Sequence, residues 1–114
     1  MLSLEDKTKA IVDALEDIKA NDITVINTTK QSQLFDRMII ASGTSNRQTR
    51  ALADNVIKKM QELGEEVFSS EGEKSGEWVL IDLGEILVHV MQPGVRAYYN
   101  LEELWGMHPP RPGK

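Results

Sequence analysis

A glycine-containing turn and a single aspartate are the residues of this sequence that could support phosphate and metal chemistry. Gly43-Thr44-Ser45 lies between an apolar strand pattern and a helix, and such a turn can bind phosphate through free backbone amides. Asp82 could contribute to a magnesium site, but Leu80 and Gly84 stand two residues away, where a second carboxylate would be needed. Neither a GxxxxGKS/T nor a GxGxxG motif surrounds the turn. A small nucleotide-binding transferase using Gly43–Ser45 and Asp82 therefore remains the alternative to a simple helix cap.

The other catalytic constellations are poorly supported. The sequence has two histidines, His89 and His108, and no cysteine. A zinc site needs three or four suitable ligands, which this chain can hardly assemble. No GxSxG motif presents a serine nucleophile. We therefore expect no enzyme activity, no metal and no cofactor.

Four aromatic side chains near the end of the sequence are candidates for a protein interface. They are Trp78, Tyr98, Tyr99 and Trp105. Tryptophan and tyrosine commonly anchor protein interfaces, although they also fill the edges of cores. For Trp105 the two roles remain open.

A predicted β-hairpin separates these roles for Trp78. Gly84-Glu85 joins two apolar runs, and this two-residue turn fixes their register. One face of the hairpin is then wholly aliphatic, with Val79, Ile81, Leu83, Ile86, Val88 and Val90. The opposite face, which we call the mixed face, carries Trp78, Leu80, Asp82, Leu87, His89 and Met91. Since Trp78 shares its face with a carboxylate and an imidazole, we expect it to bind a partner, and its truncation to reduce affinity more than stability.

Two amphipathic helices should cover the aliphatic face. The first begins after a cap at Ser3, and the second begins after Ser45 and ends near Gly64, with Leu63 in its buried stripe. Strands are predicted at 23–26, 35–41 and 66–69 in addition to the hairpin. A short helix is predicted after a cap at Asn100. This order predicts an α+β domain with a mixed five-stranded sheet, two main helices on one face and a short C-terminal helix.

Composition limits the choice of partners. The 114 residues include 13 lysines and arginines against 18 aspartates and glutamates, a net charge of −5. This balance disfavours direct binding to nucleic acid and favours a basic protein partner. We expect no membrane span, no signal peptide and a reducing, cytoplasmic location. Residues 1–106 should form one domain and 107–114 a proline-rich flexible tail.

Several sequence blocks together resemble the ribosomal silencing factor family, also called the Iojap family. The resemblance extends from the first helix to Trp105. Its specific blocks are Gly43-Thr44-Ser45-Asn46-Arg47, Glu77-Trp78-Val79-Leu80 with Asp82, Val88-His89-Val90, and Tyr98-Tyr99 with Leu101-Glu102 and Leu104-Trp105.

The resemblance implies a nucleotidyltransferase-like fold without a known catalytic role. It also implies a translation repressor that binds the large ribosomal subunit through a ribosomal protein of the L-fourteen type and sterically blocks joining with the small subunit. Combined with the mixed face, it leads us to expect partner contacts from Trp78, Leu80, Asp82, His89, Met91, Tyr98 and Tyr99. Self-association of the free protein into a homodimer through the mixed face is a further possibility.

Overall fold

The protein, seen in a computed structural model that describes residues 2–105, has the predicted α+β architecture. Its elements in chain order are α1 Leu4–Asp17, β1 Asn21–Asn27, β2 Arg37–Ser42, α2 Asn46–Glu62, β3 Ser69–Glu71, β4 Trp78–Asp82, β5 Ile86–Met91, α3 Pro93–Tyr99 and α4 Leu101–Leu104. Within residues 2–105, no helix is long and apolar enough to cross a membrane. The predicted domain boundary at 106, the tail 107–114 and His108 lie outside the described residues.

The two long helices begin at the predicted caps. The Ser3 hydroxyl accepts a hydrogen bond from the Asp6 amide at 3.0 Å, and the Ser45 hydroxyl accepts one from the Gln48 amide at 3.0 Å. The Gln48 side chain returns to the amide of Thr44, one residue before the position that a capping box would use. Leu63 was wrongly placed in the buried stripe: it follows the last residue of α2 and is 42% exposed.

The sheet is mixed, with strand order β1-β2-β5-β4-β3. β2 and β5 are parallel, and the other neighbours are antiparallel. The predicted hairpin register is confirmed, since Trp78 pairs with Met91 and Asp82 with Leu87. Gly84 has a φ of +87°, a backbone conformation that side chains with a Cβ rarely adopt, so glycine suits this turn.

The aliphatic face and the two long helices form the main core, as predicted. Apolar side chains of α1 and α2 pack on all six aliphatic hairpin residues. Lys7 of α1 also pairs with Glu85 in the hairpin turn and lies 3.4 Å from Glu65, which follows α2. Burial alone would lower the pKa of Lys7, but the hydrogen bond and charge of Glu85 outweigh burial and raise it. The helix layer is thus tied to the turn that sets the hairpin register.

Three further local predictions were wrong. The strand predicted at 66–69 begins at Ser69, because β3 pairs with β4 only from Ser69 to Glu71. The segment expected to connect the hairpin to a short helix is itself helix α3, which begins at Pro93, where proline needs no amide partner. The predicted cap at Asn100 is also absent: Asn100 has a φ of +48°, and its side-chain Nδ2 donates to the Glu103 carboxylate at 2.6 Å instead of its side chain capping α4.

The mixed face continues across the whole sheet and divides into two halves. The covered half belongs to β1, β2 and β5, and its buried residues Ile26, Met38, Ile40 and Met91 pack against Phe35, Val95, Leu101 and Trp105, and at the edge against Trp78. The open half belongs to β4 and β3; it consists of Trp78, Leu80, Asp82, Ser69 and Glu71. Trp105 therefore helps to cover the core, and its ring lies edge-on to Phe35 with centroids 5.2 Å apart.

Candidate partner-binding surface

The open half presents three of the predicted partner-binding residues from one strand. Trp78, Leu80 and Asp82 alternate along β4 on the mixed face, and each is half-buried. Tyr98 and Tyr99 stand beside this strand at the end of α3, with 82% and 52% of their surface exposed. The structure therefore brings these five side chains to one side of the molecule.

Two other predicted residues lie too deep for direct contact. Met91 is fully buried beneath the aromatic layer, and His89 is only 6% exposed. Both belong to β5, the central strand, which has neighbours on each side, and Met91 belongs to the buried cluster against which Val95 of α3 packs. The expectation that they touch a partner is corrected: they support the residues above them.

An aromatic cluster occupies the Trp78 end of the open half. The Trp78 and Tyr99 ring centroids are 4.8 Å apart, and those of Tyr99 and Tyr98 are 5.0 Å apart with nearly perpendicular planes. A cavity of about 450 Å³ lies beside the cluster, lined by Ser75, Glu77, Trp78, Gly94, Val95, Tyr98 and Tyr99. Exposed aromatic rings around a depression are typical of an interface anchor.

A polar network fixes helices α3 and α4, which lie over the covered half. The Arg96 guanidinium donates two hydrogen bonds to the Glu102 carboxylate, at 2.8 and 3.0 Å. It also donates to Ser42 of β2 at 2.9 Å and to Thr24 of β1 at 3.0 Å. The hydrogen bond from Arg96 lowers the pKa of Glu102. Because Arg96 lies in α3, this network holds the helix that carries both tyrosines.

The opposite end of the open half has an apolar groove that sequence reasoning missed. A cavity of about 430 Å³ is lined by Leu34, Phe35, Phe68, Asp82, Gly84 and Leu87. Leu34 and Phe68 are 85% and 60% exposed, which is unusual for large apolar side chains. Both belong to connections between elements, where neither helical nor strand periodicity distinguishes a surface residue from a core residue.

Acidic residues concentrate around the open half. Residues 62–85, which include β3, β4 and their connections, contain eight aspartates and glutamates and one lysine. The rest of the chain has a slight excess of basic residues. A count of charges in windows along the sequence would have found this segment. Glu71 and Asp82 of this segment lie on the open half itself, where their charges attract basic partners.

The alternative nucleotide site is not assembled. Gly43 follows Ser42, which aligns with Met91 and Trp78 at one end of the strands, whereas Asp82 aligns with Leu87 and Met38. Trp78 and Asp82 are four residue steps apart along β4, so these ends are about 13 Å from each other. Asp82 also accepts a hydrogen bond from the Gly84 amide at 2.9 Å, so it supports the hairpin turn.

The Gly43 turn has a structural explanation of its own. A side chain at Gly43 would begin 2.8 Å from the Thr49 hydroxyl, so glycine permits the close approach of β2 to α2. The Thr44 and Gln48 amides already donate to side-chain oxygens. Among residues 2–105, no group of three or more histidines, aspartates or glutamates could hold a metal ion.

Comparisons with known proteins identify clear relatives. A family model described as "ribosomal silencing factor during starvation" matches residues 2–112. A Chromobacterium violaceum protein named ribosomal silencing factor RsfS is 50% identical over 109 residues, which cover 96% of this chain and 89% of the relative. A crystal structure of a protein from the same organism has a TM-score of 0.92 at 48% identity, covering 99% of this chain and 94% of that one.

A more distant relative carries a second informative name. A mouse protein named mitochondrial assembly of ribosomal large subunit protein 1 is 32% identical over 98 residues, covering 83% of this chain and 43% of the mouse protein. The residues matched by the family model span every helix and strand described above.

Proposed function

The chain belongs to the ribosomal silencing factor family, as its motifs predicted, and we propose that it represses translation by binding the large ribosomal subunit. It docks on a ribosomal protein of the L-fourteen type and sterically blocks joining with the small subunit. The name of the mouse relative supports a partner on the large subunit. The single observation that carries the proposal is the open half of the mixed face, where the exposed Tyr98 and Tyr99 rings cluster with Trp78 of the acidic segment.

The charge distribution supports a basic protein as the direct partner. Residues 62–85 carry eight acidic residues and one lysine; of these, Glu71 and Asp82 lie on the open half and Glu77 lines the cavity beside the exposed rings. Opposite charges accelerate encounter, and the apolar and aromatic groups then supply most of the affinity. The nearby acidic groups disfavour direct contact with rRNA phosphates.

Five predicted residues form the proposed contact surface. Trp78 and Tyr99 supply the anchor, Tyr98 its exposed rim, and Leu80 and Asp82 continue the surface along β4. We add Leu34 and Phe68 at the far end. A surface that runs from one groove to the other spans the length of β4, so a single partner domain can cover it.

Steric exclusion follows from the size of the molecule. Its extents are 47 × 33 × 21 Å, so a bound molecule fills at least 21 Å of the space in front of its docking site. No reaction is needed for this repression, so the protein acts as a regulator. As a factor that binds ribosomal subunits, it acts in the cytoplasm. In the free protein the same open half is available for pairing two copies, which light scattering would detect as a doubled mass.

Sedimentation with purified ribosomal subunits tests the proposal. We expect the protein to pellet with large subunits and not with small ones, and to reduce the joined-ribosome peak in a gradient. The gradient is then repeated with excess small subunits added after the protein, where occlusion predicts that joining stays inhibited. Pelleting with small subunits alone would refute the proposal.

Truncation of Trp78 tests the surface. Trp78→Ala should lower affinity for large subunits at least tenfold, because a buried aromatic anchor commonly contributes about 2 kcal/mol. Its melting temperature should fall only modestly, since the side chain is half-buried. Leu104→Ala, which removes an exposed apolar side chain from α4, is the control. Unchanged binding by folded Trp78→Ala would show that the surface is wrongly placed.

A further inference from the structure

An indole–imidazole hydrogen bond lies beneath the aromatic cluster. The Trp78 indole Nε1–H donates to His89 Nδ1 at 2.9 Å, and the two ring centroids are 5.8 Å apart. Because Nδ1 accepts this hydrogen bond, the neutral imidazole must carry its proton on Nε2. That nitrogen is buried and has no hydrogen-bond partner in residues 2–105. Of the two imidazole nitrogens, Nδ1 alone therefore makes a hydrogen bond within the described residues, and its partner is Trp78.

Packing alone does not account for a histidine at this position. In the cross-strand row, His89 lies between Leu80 and Ile40, and an aliphatic residue there would bring no unpaired N–H of its own into the core. A buried N–H without an acceptor destabilises the folded state. What histidine supplies, and leucine does not, is the acceptor for the Trp78 indole.

The hydrogen bond determines the direction of the Trp78 ring. A half-buried tryptophan at the end of a strand can rotate about two side-chain bonds, and apolar contact alone allows more than one arrangement. The bond to His89 fixes one edge of the indole, and Tyr99 contacts the ring at a centroid distance of 4.8 Å. Tyr98 in turn packs against Tyr99. The exposed Tyr99 and Tyr98 rings therefore pack on the Trp78 ring, whose orientation is set by its hydrogen bond to the buried His89.

We propose that His89 is a positioning residue that holds the Trp78 indole in the orientation met by the partner, without touching the partner itself. The proposal rests on the proposed function, since it assigns a role within the same surface. Preorganisation of this kind raises affinity because less side-chain freedom is lost on binding.

Two substitutions at His89 separate the effect of losing the hydrogen bond from the effect of changing the side-chain volume. His89→Leu removes the acceptor, whereas His89→Asn places a carbonyl oxygen near the position of Nδ1. We expect the Trp78 indole N–H signal in ¹⁵N NMR spectra to move upfield and exchange faster in His89→Leu, and to return toward the wild-type position in His89→Asn. Trp105→Phe assigns the two indole signals. His89→Phe is a second acceptor-free variant should the leucine variant not fold.

Binding to purified large subunits is the second measurement. His89→Leu should bind at least fivefold more weakly than wild type, and His89→Asn within about twofold of it. In a Trp78→Phe background, which has no indole N–H, His89→Leu should cause no further loss. This double-mutant cycle isolates the pair from any general loosening of the fold.

Three results would overturn the proposal. They are an unchanged indole signal in His89→Leu, equal loss of binding in the leucine and asparagine variants, and a full loss that persists in the Trp78→Phe background. A wild-type protein that does not pellet with large subunits would instead contradict the proposed function. The indole signal of the free protein shows whether His89 and Trp78 are hydrogen-bonded, whatever the result of that binding experiment.

Discussion

The covered half and the open half of the mixed face lie on one sheet, but only the first is closed by helices. In the covered half, Met38 and Ile40 are buried beneath Leu101 and Trp105. In the open half, Tyr99 of α3 contacts Trp78 at one end of β4, whereas Leu80 and Asp82 remain half-buried. The same sheet face thus supports a core at one side and a surface at the other.

Helix length helps to explain where the cover stops. The α3 helix has seven residues and α4 has four, so α3 is about 10 Å long. Five strands at about 4.8 Å spacing are nearly twice as wide. The short helices can therefore cover β1, β2 and β5 but not the remaining strands. The proposed interface is thus the part of the sheet face that this chain does not bury.

Removal of Arg96 should break the covered half and give the largest effect. Arg96→Ala leaves Glu102, Ser42 and Thr24 without their common donor, which should lower the free energy of unfolding by about 3 kcal/mol. Urea denaturation measures this loss. Arg47→Ala, at an exposed position of α2, should change stability by less than about 0.5 kcal/mol. A loss below about 1 kcal/mol for Arg96→Ala would mean that apolar packing alone holds the cover.

Acid should destabilise the folded protein through His89, which lies where the covered and open halves meet. Burial lowers the pKa of His89 from 6.5 to about 4, so the unfolded chain binds more protons than the folded one between these values. Stability therefore falls as pH drops through this window, by about 2 kcal/mol between pH 7.5 and pH 5. The lowered pKa of Glu102 keeps that carboxylate charged over this range.

The asparagine variant tests the source of this acid sensitivity. Urea denaturation of His89→Asn at pH 7.5 and pH 5 should show a drop smaller by about 2 kcal/mol than that of wild type. Equal drops in the two proteins would place the titrating group elsewhere.

The two halves also differ in how far the sequence predicts them. The hairpin register followed from Gly84-Glu85, because a two-residue turn allows one pairing, and this put Trp78 and Asp82 on one face. The placement of α3 and α4 over the sheet could not be predicted from the sequence. The α3 helix lacks an apolar stripe, and Arg96 holds it to residues that are far away in sequence. The burial of His89 and Met91 depends on that cover. Sequence reasoning thus found the mixed face but not the division across it.

Loss of the apolar groove should weaken the open half without disturbing the fold. The double variant Leu34→Ser with Phe68→Ser should bind large subunits about tenfold more weakly, because both exposed side chains are buried when a partner covers them. The free energy of unfolding should change by less than about 1 kcal/mol. Leu63→Ser, an exposed leucine after α2, serves as the matched control. Equal binding by wild type and the double variant would confine the interface to the aromatic end.

The smallest effect should come from the charge of Asp82, which can be separated from its structural role. Asp82→Asn keeps an oxygen that can accept the Gly84 amide and removes only the charge, so stability should be nearly unchanged. Affinity for large subunits should fall two- to threefold at low salt, and the difference should shrink as salt screens the attraction. Asp82→Ala, which also loses the hydrogen bond, should in addition destabilise the fold by about 1 kcal/mol. A salt-independent difference between wild type and Asp82→Asn would show that Asp82 contacts the partner through a neutral hydrogen bond and that the acidic segment does not guide binding at this position.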